Sequence, residues 1–223
     1  MPIISNKISS ARLYVFTFDL VYILYFGSFN NVSYVLSLLK IERLLIYMNN
    51  TQVKTKKLIL SALMAALTCV ATIVIQLPTH TGGYIHLGDG FVLLSGILLG
   101  PILGALAAGI GSMLADVLTG YVQWAPATFI IKALAALLVG LIYKKIAKKL
   151  SLNTYVSVIL SGIASGLVVV FGYLTYNTLI LGIAFVAAIT SIPTDTLQSV
   201  AGIIVACLLV PLLEKIPDIK EMV

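Results

Sequence analysis

From residue 58 onward, long apolar runs alternate with short segments of polar and turn-forming residues. Most of these runs have about 20 residues, the length at which an α-helix crosses the hydrocarbon core of a bilayer. A helix also satisfies its own backbone hydrogen bonds, as a spanning segment must. The second run is shorter and stops at the Gly100-Pro101 break. The pattern predicts six transmembrane helices, over residues 58–77, 86–100, 102–118, 124–143, 154–176 and 193–213.

The segment 177–192 is also apolar but is too short for two crossings. We expect it to form a cap or a re-entrant loop before the last helix. The predicted fold class is therefore an all-α integral membrane protein, with residues 48–223 forming one six-helix bundle.

The first 47 residues follow a different pattern. Their two apolar stretches, 13–29 and 32–47, are each interrupted by charged residues, so neither is a clean span. Met48 is followed by a short polar segment with clustered lysines, which is typical of the start of a bacterial membrane protein. We predict that residues 1–47 are an N-terminal extension created by an incorrect start site; an additional N-terminal helix is the alternative.

Composition supports a membrane protein, because 60% of the residues are hydrophobic, 10% are charged and the mean hydropathy is +1.10. The net charge of +6 does not indicate nucleic-acid binding, since the lysines lie in short clusters beside apolar runs. Every lysine after Met48 except Lys132 lies at the start of the bundle, in 144–149 or in the tail. The positive-inside rule then places both ends of the bundle in the cytoplasm and the loops at 78–85, 119–123 and 177–192 outside.

Motifs for catalysis or metal binding are missing from the sequence. It has no Walker-type loop, HExxH or GxSxG segment, so we predict no enzyme activity and expect any ATP hydrolysis in a partner. His80 and His86 have no cysteine or carboxylate at a metal-ligand spacing, so no metal site and no cofactor are predicted. Cys69 and Cys207 lie in apolar runs, where a thiol usually behaves as a small buried hydrophobe.

Polar side chains collect at the outward ends of the predicted helices. An ionisable group near hydrocarbon usually faces a partner or a cavity, so this asymmetry predicts an outward polar pocket for a small molecule. Aromatic rings there would stack on a flat heterocycle, and the polar groups would bond its substituents. The candidate residues are His86, Asp89, Asp116, Tyr121, Trp124, Lys132, Tyr173, Asn177, Asp195 and Gln198.

Structural alternatives exist for several of these residues. Trp124 and Tyr121, like the nearby Tyr84, are also typical of the aromatic belt at a membrane interface. Asp89 could cap the start of the second helix. Lys132, about two turns into the fourth helix, needs a carboxylate, a cavity or a ligand, and pairing with Asp116 is the structural alternative.

Small residues recur at four-residue spacing, which lets helices approach closely in lipid. For Gly96/Gly100/Gly104 and Gly162/Gly166 we expect packing inside the bundle. Ala62 and Ala66 on the first helix could instead meet another protein.

The order and spacing of several segments resemble the substrate-binding S components of energy-coupling factor (ECF) vitamin transporters. The resemblance covers residues 57–213, and within the family the sequence most resembles members assigned to hydroxymethylpyrimidine or other thiamine precursors, or to pyridoxine. The segments are His86-Leu-Gly-Asp89, Gly100-Pro101, Gly109-Ile-Gly-Ser-Met-Leu-Ala-Asp116, Gly120-Tyr-Val-Gln-Trp-Ala-Pro126 and Ile131-Lys132.

This resemblance implies a six-helix bundle that captures a vitamin from outside. It also implies a partner module, made of a transmembrane coupling protein and two ATPase subunits, that drives release inward; Ala62 and Ala66 match the positions that contact the coupling protein. Asn177 stands where the family would have glutamate, and Asp195 where asparagine is commoner, so a different vitamin is an alternative. Two other classes of function are a membrane enzyme and a scaffold without a ligand. An enzyme would need a nucleophile with a base, or a metal cluster, and the sequence shows neither. A scaffold would give no reason for the polar residues to cluster.

Overall fold

A computed structural model describes residues 54–74, 76–78, 84–147 and 150–216 of the chain. The chain divides into two units, Met1–Lys56 and Lys57–Val223, and almost all of the described residues belong to the second. The predictions about residues 1–47 lie outside the described residues.

The described part is built mainly from helices. Five of them are long and apolar enough to cross a membrane, and one further apolar helix is shorter. The elements are α1 Lys54–Val74, β1 Leu77–Pro78, β2 Tyr84–Ile85, α2 Gly88–Leu99, α3 Pro101–Leu118, α4 Ala125–Leu141 with a π-helical continuation Ile142–Ala147, α5 Thr154–Leu179, α6 Phe185–Ile189 and α7 Ile192–Leu213. The predicted all-α membrane fold is confirmed.

Several boundaries differ from the prediction, among them the start of the first helix, at Lys54, and that of the second, at Gly88. The first helix ends at Val74, and Leu77 instead pairs with Ile85 in a two-residue antiparallel ladder. The fifth helix continues to Leu179. Within 177–192 the chain forms the short helix α6, which leads through a turn into α7.

The short helix α2 lies at the centre of the bundle, packed against α3, α4 and α7. All of its 12 residues except Phe91 are buried. At a rise of 1.5 Å per residue it is about 18 Å long, well short of the hydrocarbon thickness of about 30 Å. A helix that is apolar on every side is stable only when other helices surround it, which explains its central position.

The predicted small-residue contacts lie inside the bundle. A Cβ added at Gly96 would lie 2.5 Å from the carbonyl oxygen of Ala136 on α4, and one at Gly104 would lie 2.5 Å from that of Ser95 on α2. Gly162 on α5 faces Ile203 on α7 in the same way. Gly100 has a φ of +81°, which favours glycine at the break between α2 and α3.

At the other end of the bundle from β2, Glu214 joins three elements. Its carboxylate accepts hydrogen bonds from the Tyr143 hydroxyl (2.7 Å) and the Thr154 hydroxyl (3.1 Å). These bonds tie the end of α7 to the π-helical turn and to the start of α5, so the helices are fixed together at this end.

Candidate binding site

A pocket opens where β2, the ends of α3 and α5, and the starts of α4 and α7 converge. It contains about 520 Å³ of empty space, part of it open to solvent. Its lining residues are Tyr84, His86, Asp116, Tyr121, Trp124, Thr128, Tyr173, Asn177, Ser191, Asp195 and Gln198.

Four rings form a continuous aromatic wall along the pocket: His86, Tyr84, Tyr121 and Trp124. The ring centroids of Tyr84 and Tyr121 are 4.6 Å apart, and those of Tyr121 and Trp124 are 5.9 Å apart. The His86 ring lies 5.4 Å from that of Tyr84. The three ring pairs are tilted by 49–54°, so the wall offers both ring faces and ring edges to a ligand.

Hydrogen bonds fix the wall to α5. The Trp124 indole N–H donates to Asn177 Oδ1 at 3.1 Å, just before α4 begins. One turn further along α4, the hydroxyls of Thr128 and Tyr173 are 3.0 Å apart and hydrogen-bonded. Trp124 is therefore held by the bundle itself, an arrangement that belt residues at a membrane interface do not need.

Two carboxylates face the pocket with an unused acceptor. Asp116 Oδ1 accepts a hydrogen bond from the Tyr84 hydroxyl at 2.6 Å. Among the described residues, Asp116 Oδ2 and Asp195 Oδ2 are buried without a hydrogen-bond partner. Leaving a buried acceptor unsatisfied costs about 1–3 kcal/mol, so a ligand that donates to these atoms would be favoured.

The protonation of two wall residues follows from burial. Burial, with the adjacent Asp116 carboxylate, raises the pKa of Tyr84, so its hydroxyl keeps the proton that it donates. Burial, aided by the positive charge of Lys132, lowers the pKa of His86 to about 3, against a smaller opposing effect of Asp89. The backbone N–H of Gly88 donates to His86 Nδ1 at 3.0 Å. His86 is thus neutral at physiological pH and carries its proton on Nε2.

Behind the pocket lies a buried ion pair between Lys132 on α4 and Asp89 on α2. Lys132 is fully buried, and its ammonium also lies 5.5 Å from the centroid of the Tyr173 ring, within cation–π range. Gln198 Nε2 donates to Asp89 Oδ2 at 3.0 Å, and Gln198 Oε1 accepts the backbone N–H of His86 at 3.1 Å. This network joins α2, α4, α7 and the end of β2.

Two of the structural alternatives are wrong. Lys132 pairs with Asp89 and not with Asp116, because the Asp89 carboxylate on the central helix faces α4. Asp89 does not cap α2, since the residue at the cap position is Leu87 and the N–H of Gly88, at the start of the helix, donates to His86 Nδ1.

Most of the candidate residues meet in this pocket. His86, Asp116, Tyr121, Trp124, Tyr173, Asn177, Asp195 and Gln198 line it, whereas Asp89 and Lys132 form the ion pair behind it. Three lining residues were missed. The sequence favours no pocket role for Tyr84 beyond that of a belt residue, Thr128 could be found one helical turn after Trp124, and Ser191 lies in a turn for which the sequence has no signal.

Comparison with known proteins gives consistent results. Residues 52–215 match a family model described as "ECF-type riboflavin transporter, S component". An uncharacterized protein of Pyrococcus woesei, from a gap 3′ region, is 33% identical over 137 residues, which are 61% of this chain and 86% of that protein. The crystal structure of the S-component for biotin from an ECF-type ABC transporter has a TM-score of 0.59 and 19% identity, covering 77% of this chain and 97% of that one. At that identity the similarity concerns the fold alone.

Proposed function

This chain belongs to the family of ECF-type riboflavin transporter S components, and from that membership we propose that its pocket binds a small water-soluble vitamin or vitamin precursor with a planar ring. An S component is the substrate-capture subunit of an ECF importer. The S component itself is a multi-pass membrane protein and not an enzyme. The finer proposal concerns the ligand and the residues that hold it.

The observation that carries this proposal is the aromatic wall beside unpaired polar atoms. A flat heterocycle would stack on Trp124 and Tyr121, and base–aromatic stacking typically contributes about 1–3 kcal/mol per ring. Asp116 and Asp195 would accept hydrogen bonds from its amino or hydroxyl groups. Neighbouring amide and hydroxyl groups, on Asn177 and Gln198 among others, would fix its orientation.

Three small molecules are the leading candidate ligands. The sequence resemblance favours a thiamine-precursor pyrimidine or pyridoxine, and the family description adds riboflavin. Each has a planar ring with N–H or O–H donors. Biotin, named for the structural neighbour, is included in the test because it has a different ring and a carboxylate.

The single tryptophan of the sequence makes a direct binding test possible, because all indole fluorescence reports on Trp124. Titrating the purified full chain with hydroxymethylpyrimidine, pyridoxine, riboflavin and biotin should quench or shift that emission for at least one of them, with a matching rise in thermal stability. Calorimetry would serve where a ligand absorbs or emits in the same range. If neither signal responds to any of these vitamins, the proposed function is wrong.

The pocket is proposed to face outside, with the N- and C-terminal segments of the six-helix domain both in the cytoplasm. To test this, single cysteines would replace the exposed Val122 and Leu150 in a background lacking Cys69 and Cys207. A membrane-impermeant thiol reagent applied to intact cells should label Val122→Cys and spare Leu150→Cys, because lysine-rich segments stay in the cytoplasm. Labelling of Leu150→Cys alone would reverse the orientation.

A transmembrane coupling protein and two ATPase subunits are the proposed partners, with α1 as a contact surface. Of the described spans, α1 is the least buried within the chain, and Ala62 and Ala66 are both exposed on it. Close approach of helices in lipid needs such small side chains. Replacing both alanines with leucine should abolish uptake by the complete transporter while ligand affinity of the isolated subunit changes less than about threefold.

The control for this experiment is Ala187→Leu, the same enlargement at an exposed position on α6. It should leave both uptake and binding unchanged. Equal loss of uptake and binding in the α1 variant would assign Ala62 and Ala66 to packing within the subunit, and the contact surface would have to lie elsewhere.

A further inference from the structure

The described side chains that line the pocket carry a net negative charge. Asp116, only 4% exposed, and Asp195 both line it, and none of its described lining residues is a lysine or arginine. The Lys132 ammonium, behind the pocket, is hydrogen-bonded to Asp89. The ring of His86 is neutral. A bound ligand therefore meets two carboxylates that no lining cation offsets.

The unpaired acceptor oxygens, like the negative charge, disfavour an anionic ligand. Asp116 Oδ2 and Asp195 Oδ2 are buried and, among the described residues, have no donor. A carboxylate or phosphate on a ligand would bring further acceptors and like charge to these atoms, whereas N–H and O–H groups would satisfy them.

The dipoles of the helices that begin or end at the pocket do not favour an anionic ligand either. A helix N-terminus attracts anions, and α7 begins at the pocket, but its first turn already carries Asp195. Asp116 lies two residues before the end of α3, where the helix dipole is negative and repels a further anion.

We infer, on the basis of the proposed function, that the pocket selects a ligand that is uncharged or cationic and donates at least two hydrogen bonds, and that it rejects the anionic form of the same ring. Asp116 and Asp195 are the residues that determine this specificity. The inference excludes carboxylates and phosphate esters as the preferred ligands, whichever ring the pocket accepts.

Pairs of ligands that share a ring test the inference directly. The pairs are pyridoxine with 4-pyridoxic acid, the hydroxymethylpyrimidine with its 5-carboxylate, riboflavin with riboflavin 5′-phosphate, and biotinamide with biotin. For whichever ring binds to the full chain, calorimetry should show the uncharged member binding tighter by roughly tenfold or more. Equal or tighter binding of the anion would overturn the inference while leaving vitamin capture intact. Failure of every pair to bind would instead overturn the proposed function.

Variants then assign the selectivity to the two carboxylates. Asp116→Asn and Asp195→Asn keep the side-chain size and remove the charge, so each should reduce the ratio of the two affinities several-fold. Glu214→Gln is the matched control, because it removes one negative charge at the opposite end of α7. In this variant the ratio of the two ligand affinities should equal that of the unmodified protein. An unchanged ratio in both aspartate variants would contradict the assignment.

Discussion

Lys132→Met is expected to lower the free energy of unfolding by about 3–5 kcal/mol, the usual effect of removing one partner of a buried ion pair. Methionine fills most of the volume of the lysine but leaves the Asp89 carboxylate buried, with Gln198 as its remaining hydrogen-bond donor. The exposed Lys215→Met gives the same chemical change without burial and should have little effect. Denaturant titration measures the difference, and thermal scans with a thiol-reactive dye reporting on Cys69 and Cys207 provide a second readout.

Double variants identify the partner of Lys132. Lys132→Met with Asp89→Asn should recover most of the lost stability, because the unpaired charge is removed and the new amide oxygen still accepts from Gln198. Lys132→Met with Asp116→Asn should recover little. Recovery by the second pair and not the first would mean that Asp116 is the partner and that the observed ion pair is incorrect.

Trp124→Ala is expected to weaken binding of the preferred vitamin by about 1–3 kcal/mol, or roughly fivefold to 150-fold in Kd. The substitution removes both a stacking surface and the N–H donor to Asn177. Trp124→Phe keeps a ring without the donor, so it should retain much of the affinity if stacking dominates. Calorimetry is the measurement, since these variants have no intrinsic tryptophan signal.

The control for Trp124 is Phe171→Ala, which removes an exposed aromatic ring from α5, the helix that also carries Tyr173. It should leave the affinity unchanged. If the two alanine variants bind equally well, Trp124 contributes no more than a ring at the membrane surface, and the ligand lies elsewhere in the pocket or outside it.

Helix positions could be predicted because bilayer thickness fixes the length of an apolar run, and length is visible in a sequence. The rotation of each helix about its own axis cannot be read from the sequence in the same way. The central α2 is apolar around almost its whole circumference, so nothing in its sequence indicated that Asp89 would face Lys132 on α4. Only the packing of α2 between α4 and α7 determines that pair.

The pocket could be anticipated because its polar residues share one end of the helices, but its composition could not. Tyr84 has the position of a belt residue in the sequence, and the short ladder between β1 and β2 places its hydroxyl against Asp116. Such a contact depends on a loop conformation, which hydrophobic periodicity does not report.

The buried ion pair also constrains how the chain enters the membrane during synthesis. Asp89 emerges from the ribosome before Lys132, and Gln198 follows much later. Asp89 lies in the first turn of α2, where an unpaired carboxylate adds to the cost of inserting a helix of only 12 residues. We therefore expect α2 to be a poor insertion signal by itself, because the partner of its carboxylate, Lys132, is made only with α4. Stable integration of the central helix would then depend on two helices made after it: α4, which carries Lys132, and α7, which carries Gln198.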